Sequence, residues 1–425
     1  MSEPRADRTK LLVLPPHAAS FLRVAGLTVM ERVLLAAQRA GFAEIVVWTP
    51  EPCPRLATIL RAHSRLRGVQ LTAEPPFGDD PWVVVRSDVV VSPTVLLRIR
   101  AESGGGAVRW CVDGLVVAVS GSARQLFPDS GTDAVAAWAD AMRLADTECS
   151  LSTEVAVPVA SPTSAQQAER ALCRQIWRAA AATDGVLAHW FDRRLSLAIS
   201  RRLARFPWLR PNHVTAAGTA LGLCAAWLFS HGSFTGGVAA AVLFWLACVL
   251  DGCDGELARL TFRDSEWGKF FDVATDNLVH AAIFLGLGLG FLRSHPHAPH
   301  GWLVLLLLGG FASAGLASYV FLNRACSAAV AGAATHSWRG RLERFLAALM
   351  NRDFSYLLLL LALADRLHWF LWGAAFGSYA VAAAALALSF ESFCGPGASG
   401  ALSEETPAPA GTAAEAPIAS WPQSE

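Results

Sequence analysis

Between residues 211 and 393 the chain is built from apolar runs of Ala, Leu, Val, Phe, Gly and Trp. Several are close to the ~20 residues that a helix needs to cross a bilayer. Four aspartates interrupt them in two close pairs: Asp251 with Asp254, and Asp272 with Asp276. A carboxylate at a membrane segment is costly, so a repeated acidic pair there is a functional-site hypothesis by default. The i, i+3 and i, i+4 spacings put Asp251 with Asp254, and Asp272 with Asp276, on shared helix faces. Two helix ends that each offer such a pair can converge on one hard cation or on two. Oxygen donors of this kind suit Mg²⁺ or Mn²⁺ and not Zn²⁺. The bland alternative is a set of acidic helix caps.

Apolar residues make up 53% of the 425 and charged residues only 16%, and the mean hydropathy is +0.38. That balance indicates a membrane protein. The formal net charge is zero, so nothing global argues for a nucleic-acid partner. Nine cysteines are scattered without a C-x-x-C pair, which predicts reduced, mostly buried thiols and neither a disulfide framework nor a zinc site. The polar N-terminus shows no signal peptide.

The spacing of apolar runs predicts an α-helical membrane bundle of six transmembrane helices over 211–393: 213–231, 235–253, 268–292, 301–322, 354–366 and 369–392. Asp365 and Arg366 cut the fifth short. Lys and Arg near the spans collect on one side, from Arg193 to Arg352, against Arg293 and Arg366 on the other. By the positive-inside rule, both termini and the aspartates are expected in the cytoplasm, and the chain in the cell (inner) membrane as a multi-pass protein. Residues 1–155 alternate strand and helix patterns, as in a soluble cytoplasmic α/β domain. Strands are predicted at 10–15, 44–49, 82–85 and 89–91, and a helix at 28–40 ending at Gly41. A hairpin is predicted at 108–119 through Asp113-Gly114. Residues 156–183 read as a linker and helix. Residues 184–210 read as an amphipathic juxtamembrane helix lying on anionic lipid, with Leu187, Trp190, Leu195 and Phe206 on its apolar side. The tail, 394–425, reads as disordered.

The full pattern, D-x-x-D-G-x-x-A-R-x8-G-x-x-x-D-x-x-x-D, resembles the signature of the CDP-alcohol phosphotransferase family. Every fixed position is filled: Asp251, Asp254, Gly255, Ala258, Arg259, Gly268, Asp272 and Asp276. The resemblance implies transfer of a phosphoryl-linked alcohol from a CDP-alcohol, such as CDP-diacylglycerol, to the hydroxyl of a small alcohol or polyol phosphate, with release of CMP. It implies that Asp251, Asp254 and Asp272 hold Mg²⁺ or Mn²⁺. Asp276 would then be the base, or a ligand of a second metal. Asn212 and Thr215, from a P-N-x-x-T match at 211–215, would join Gly255, Ala258, Arg259 and Gly268 around the nucleotide. Arg193, Ser196 and Ser200, with Arg352 of an R-D match, are candidates for the acceptor's or lipid's phosphate. Members of the family commonly pair as homodimers. The surrounding residues look most like the di-myo-inositol-phosphate-phosphate synthase-like subgroup, although Asn277 and His280 stand where that subgroup often has Arg and Asp.

Residues 1–155 resemble a nucleotidyltransferase-like domain through 25–32 and 40–47, with Asp88 where such domains present a metal-binding aspartate. The place of the phosphate-cradling loop reads Leu14-Pro15-Pro16-His17-Ala18-Ala19-Ser20. It has no glycine, and its two prolines remove N–H donors. The domain is therefore expected to be degenerate. The rival readings are a bifunctional enzyme whose N-terminal domain also makes the CDP-alcohol, and a transporter with intramembrane carboxylates. A transporter's carboxylates belong near mid-span, and these stand at span ends.

Overall fold

The computed structural model describes residues 9–297, 301–315 and 354–394, apart from breaks at 67, 76–78, 104–105, 113, 128–133, 146, 151–155, 182–183, 186, 302 and 314. The described residues form two compact units. The first takes those of Met1–Thr183, Arg193–His213 and Gly252–Gly268. The second takes those of Asp184–Asp192, Val214–Asp251 and the residues from Lys269 onward.

The first unit begins with β1 (Lys10–Val13), β2 (Arg23–Val24), β3 (Leu27–Thr28) and α1 (Val29–Arg39). Then come β4 (Ile45–Trp48), α2 (Pro54–Ala62), β5 (Val69–Thr72), β6 (Pro81–Val85), β7 (Val89–Val91) and α3 (Pro93–Glu102). The hairpin β8 (Val108–Val112) and β9 (Leu115–Ser122) precedes α4 (Ala123–Leu126), α5 (Ala134–Leu144), β10 (Thr147–Ser150), β11 (Ala156–Pro158) and α6 (Pro162–Ala180). Seven strands form one mixed sheet in the order β10-β8-β9-β6-β1-β4-β5. β1 lies parallel to β4 and β6, and β9 antiparallel to β6 and β8. Leu11 and Val13 pack with Val29 and Val33 of α1, whereas Leu12 packs with Val46, Val84 and Leu126 in a second cluster. Both sheet faces are covered, so these strands read as continuous apolar runs. The expected hairpin pairs Val112 with Leu115; Asp113 lies outside the described residues. One expectation changes. The start of the connector after 155 forms β11, which pairs Val157 with Val90 of β7. Pro158 forces Val157 into extended backbone, and the three valines of β7 offer it an edge.

Thr28 caps α1, and Glu31 returns the contact to the Thr28 N–H. Just before it, β2 and β3 turn through Ala25 (φ 45°) and Gly26 (φ 85°), the two left-handed residues of a type I′ turn. A side chain on Gly26 would overlap the Ala204 carbonyl. Ala204 follows α7 (Arg193–Leu203), so this turn is a docking point for that segment. The helix expected over 184–210 ends at Leu203; Leu187, Trp190, Leu195 and Phe206 are 39–49% exposed.

Four helices follow in order: α8 (Pro211–Phe229), α9 (Phe234–Thr261), α10 (Glu266–Ser294) and, later, Leu367–Cys394, with shorter apolar helices Leu303–Ser313 and Phe354–Leu363 between the last two. Among the described residues, α9 and α10 are long and apolar enough to cross a bilayer. The helix expected to end at 253 runs eight residues further. It ends where Arg263 N–H donates to the Ala258 carbonyl at 2.8 Å and Phe262 turns left-handed (φ 56°), the bonding of a Schellman cap. In the second unit, side chains on Gly286 and Gly290 of α10 would overlap the carbonyls of Ala226 and Phe229. Small residues at this spacing let two helix backbones close on each other. Asp192 accepts the Trp245 indole N–H at 2.9 Å and the Tyr356 hydroxyl.

Gly26 and Gly68 are both left-handed, but a side chain at Gly68 meets nothing within 4 Å. Gly68→Ala should therefore cost only the backbone term, about 1 kcal/mol, and Gly26→Ala should cost about 2 kcal/mol or more through the added overlap. Thermal unfolding of the full chain in detergent measures the difference.

Candidate metal centre and cleft

α9 carries Asp251 and Asp254 one turn apart, and α10 carries Asp272 and Asp276 one turn apart. One carboxylate oxygen from each of Asp251, Asp254 and Asp272 lies within 4.8 Å of the others. Asp254 is only 5% exposed, and its Oδ1 accepts the Gly255 N–H. At such separations two like charges repel by about 3 kcal/mol at an effective dielectric of 20. A divalent cation among the oxygens reverses that sign, and an all-carboxylate donor set is the chemistry that hard cations accept. The three residues thus fit a divalent metal.

Asp276 stands outside this group of three. It lines a cleft with Thr215 of α8, Phe244 and Asp251 of α9, and His280 of α10. Asp251 therefore borders both the carboxylate group and the cleft. The His280 ring is held 5.4 Å from Phe354 and 6.2 Å from Phe244. Asn277 is exposed and donates to its own helix at Val273.

Residues 208–388 match the family model described as CDP-alcohol phosphatidyltransferase. That stretch, a little under half of the chain, is similar to CDP-alcohol phosphatidyltransferases. A "Bifunctional IPC transferase and DIPP synthase" of Rubrobacter xylanophilus is 40% identical over 82 residues, 19% of this chain and 18% of that protein. An "Archaetidylinositol phosphate synthase" of Pyrococcus horikoshii is 33% identical over 84 residues, 20% of this chain and 43% of that protein. The chain thus aligns with less than half the length of each of these curated relatives. The crystal structure of the Mycobacterium tuberculosis phosphatidylinositol phosphate synthase PgsA1 with CDP-DAG bound aligns over 50% of this chain and 99% of its own, at 21% identity and a TM-score of 0.32.

The remaining candidates are spread over several places. Asn212 Oδ1 lies 3.5 Å from where a side chain on Gly268 would begin, so those two are neighbours. Thr215, at 6% exposure, and Ala258, at 9%, are buried. Gly255 lies beside the Arg259 guanidinium, 3.6 Å from where its side chain would begin, and Arg259 itself is exposed. Arg193, Ser196 and Ser200 converge on Glu256: Arg193 Nη1 donates at 2.9 Å, Ser196 Oγ at 2.6 Å and Ser200 Oγ at 2.8 Å. Arg352 lies outside the described residues.

Glu256 went unnoticed in the sequence. It is fully buried, about 140° around α9 from Asp251 at 100° per residue, so it braces the face opposite the carboxylate group. The signal was there in Arg193, Ser196 and Ser200, a polar stripe that needed a partner. Arg32 was also missed. It is 2% exposed, and it donates to the carbonyls of Val24 at 2.8 Å and of Leu260, in the last turn of α9, at 2.8 Å. Burial pulls its pKa down to about 10, against the opposing pull of Glu169, so the guanidinium stays charged at neutral pH.

The loop at 14–20 is tied by its own bonds. Ser20 Oγ donates to Ser87 Oγ at 3.0 Å, and Ser87 Oγ donates to the Pro15 carbonyl at 2.9 Å. Asp88 accepts two bonds from Arg86, at 2.9 and 2.7 Å.

Glu256→Ala should destabilise the full chain by about 3 kcal/mol, because it strands the half-shielded Arg193 charge. Ser196→Ala should cost about 1 kcal/mol. Thermal melts of the detergent-solubilised protein compare the two.

Proposed function

We propose that this protein is a membrane CDP-alcohol phosphotransferase that moves a phosphatidyl or similar phosphoryl-linked alcohol from a CDP-alcohol to a hydroxyl acceptor and releases CMP. One observation carries the reading: Asp251 belongs both to the three-carboxylate group and to the cleft that Asp276 lines. A group able to hold a cation and a group able to take a proton thereby face one space. The family match over 208–388 supports the same reaction class.

Asp251, Asp254 and Asp272 hold Mg²⁺ or Mn²⁺. When bound, the metal offsets the charge that builds on the pyrophosphate oxygens as CMP leaves. Asp276 accepts the proton of the acceptor hydroxyl as that oxygen attacks phosphorus; it stands apart from the three ligands, which suits a base. Asn212, Thr215, Gly255, Ala258, Arg259 and Gly268 receive the cytidine diphosphate part. The missing side chains at Gly255 and Gly268 leave room for the nucleotide, and Arg259 supplies positive charge at the helix end. Arg193, Ser196, Ser200 and Arg352 serve the headgroup side; the first three do so while tied to Glu256, so their part is to keep that wall in place.

CDP-diacylglycerol is the favoured donor, and the acceptor class is a small polyol phosphate. A relative named for archaetidylinositol phosphate supports that class. His280, fixed between two aromatic rings in the cleft, is the side chain best placed to choose among acceptors. Six membrane helices over 211–393, cytoplasmic termini, a tail from 394, and pairing as a homodimer complete the reading. Residues 1–155 are a nucleotidyltransferase-like domain that does not transfer cytidylyl groups: the closed loop at Pro15–Ser20 and the Arg86-bound Asp88 support this.

CMP release by the protein in detergent, with CDP-diacylglycerol and a panel of polyol phosphates, is the test. Activity should vanish with EDTA and return with Mg²⁺ or Mn²⁺. Asp276→Asn should lower kcat by about 10²- to 10⁴-fold while leaving Mn²⁺ binding intact, and Asp251→Asn should lose the metal. Protein that is folded yet binds no CDP-alcohol would sink the enzyme reading.

A further inference from the structure

The turn joining α9 to α10 is four residues long, Phe262 to Ser265, and it connects the helix of Asp251 and Asp254 to that of Asp272. All four residues belong to the same compact unit as the N-terminal sheet domain. Phe262 is left-handed, a conformation that usually needs glycine. For a bulky residue this costs about 1–2 kcal/mol. The ring is 9% exposed and packs in the core cluster of Val29, Val33, Leu34 and Leu66. Burying a phenylalanine side chain contributes about 2–3 kcal/mol, so the strain is outweighed. The Arg39 guanidinium stands 4.7 Å over the ring and that of Arg32 5.9 Å. Arg65 donates to the Phe262 carbonyl, Arg39 pairs with Asp264, and Arg32 donates to the Leu260 carbonyl. Three arginines of the N-terminal domain thus hold one short turn, and each contact restrains the end of the helix that carries Asp254.

We infer that the N-terminal domain is retained as a clamp on the α9–α10 turn, with Phe262 as its central positioning residue, so that the aspartates of the two helices are held at metal-binding spacing. Helix α1 supplies Arg32 and Arg39 and the segment after α2 supplies Arg65, which gives a domain whose own loop is closed a mechanical role. The effect on metal rests on the proposed ligand role of Asp251, Asp254 and Asp272; the clamp itself does not.

The test uses the full chain in lipid nanodiscs, with Mn²⁺ alone as probe. Free Mn²⁺ is measured by electron paramagnetic resonance, and amide hydrogen exchange is followed over 258–266. Phe262→Ala should weaken Mn²⁺ binding by about tenfold and speed exchange in the turn by about tenfold or more. Arg39→Asp and Asp264→Arg should each shift both readouts in the same direction, and the double charge reversal should return both to within about twofold of wild type. Such rescue is not expected of a general loss of stability. If Phe262→Ala does not fold, the charge-reversal set at positions 39 and 264, which are part-exposed, decides. Unchanged exchange over 258–266 in the folded single variants overturns the clamp. Wild-type protein that binds no Mn²⁺ overturns the metal assignment, and exchange alone then decides the clamp.

Discussion

Three carboxylate oxygens within 4.8 Å of one another are the constraint around which the surrounding structure is arranged. Without a cation they push their helices apart; with one, they bind it only if the spacing is kept. The nearby packing answers that mechanical demand. Glu256 fastens the back of α9 to α7 through three hydrogen bonds. Gly286 and Gly290 let α10 close on α8 without intervening side chains. Asp192 ties Trp245 of α9 to Tyr356. None of these groups needs to touch a substrate to matter for the chemistry.

The turn after α9 shows the same logic in the opposite direction. A glycine at position 262 would relieve the left-handed backbone, yet the chain keeps phenylalanine. The explanation lies in what the ring buries and in the cations stacked near it. Arg32 reinforces this. A fully buried arginine is expensive unless its donors are used, and here they reach a β2 carbonyl and an α9 carbonyl.

Much of this was legible in residue order. Strand β1, helix α1 and strand β4 appear where the apolar runs and Gly41 place them, because those signals are local. The carboxylate group was legible because spacing along a helix is a local property too. What was not legible depended on partners distant in sequence. β11 exists because β7 offers an edge. The extra turns of α9 beyond 253 are closed by a cap whose Phe262 needs a pocket formed from residues 29–66.

The sequence by itself determined the spacing of the four aspartates, the match to a family signature that they carry, and an apolar segment fit for lipid, since composition and residue order are local properties. Only the tertiary structure decided that Asp276 lines one cleft with Asp251, that Arg193, Ser196 and Ser200 donate to Glu256, and that the N-terminal arginines reach the α9–α10 turn. Such choices are made by packing and by the need to satisfy buried polar groups, and both join residues that chain order keeps far apart.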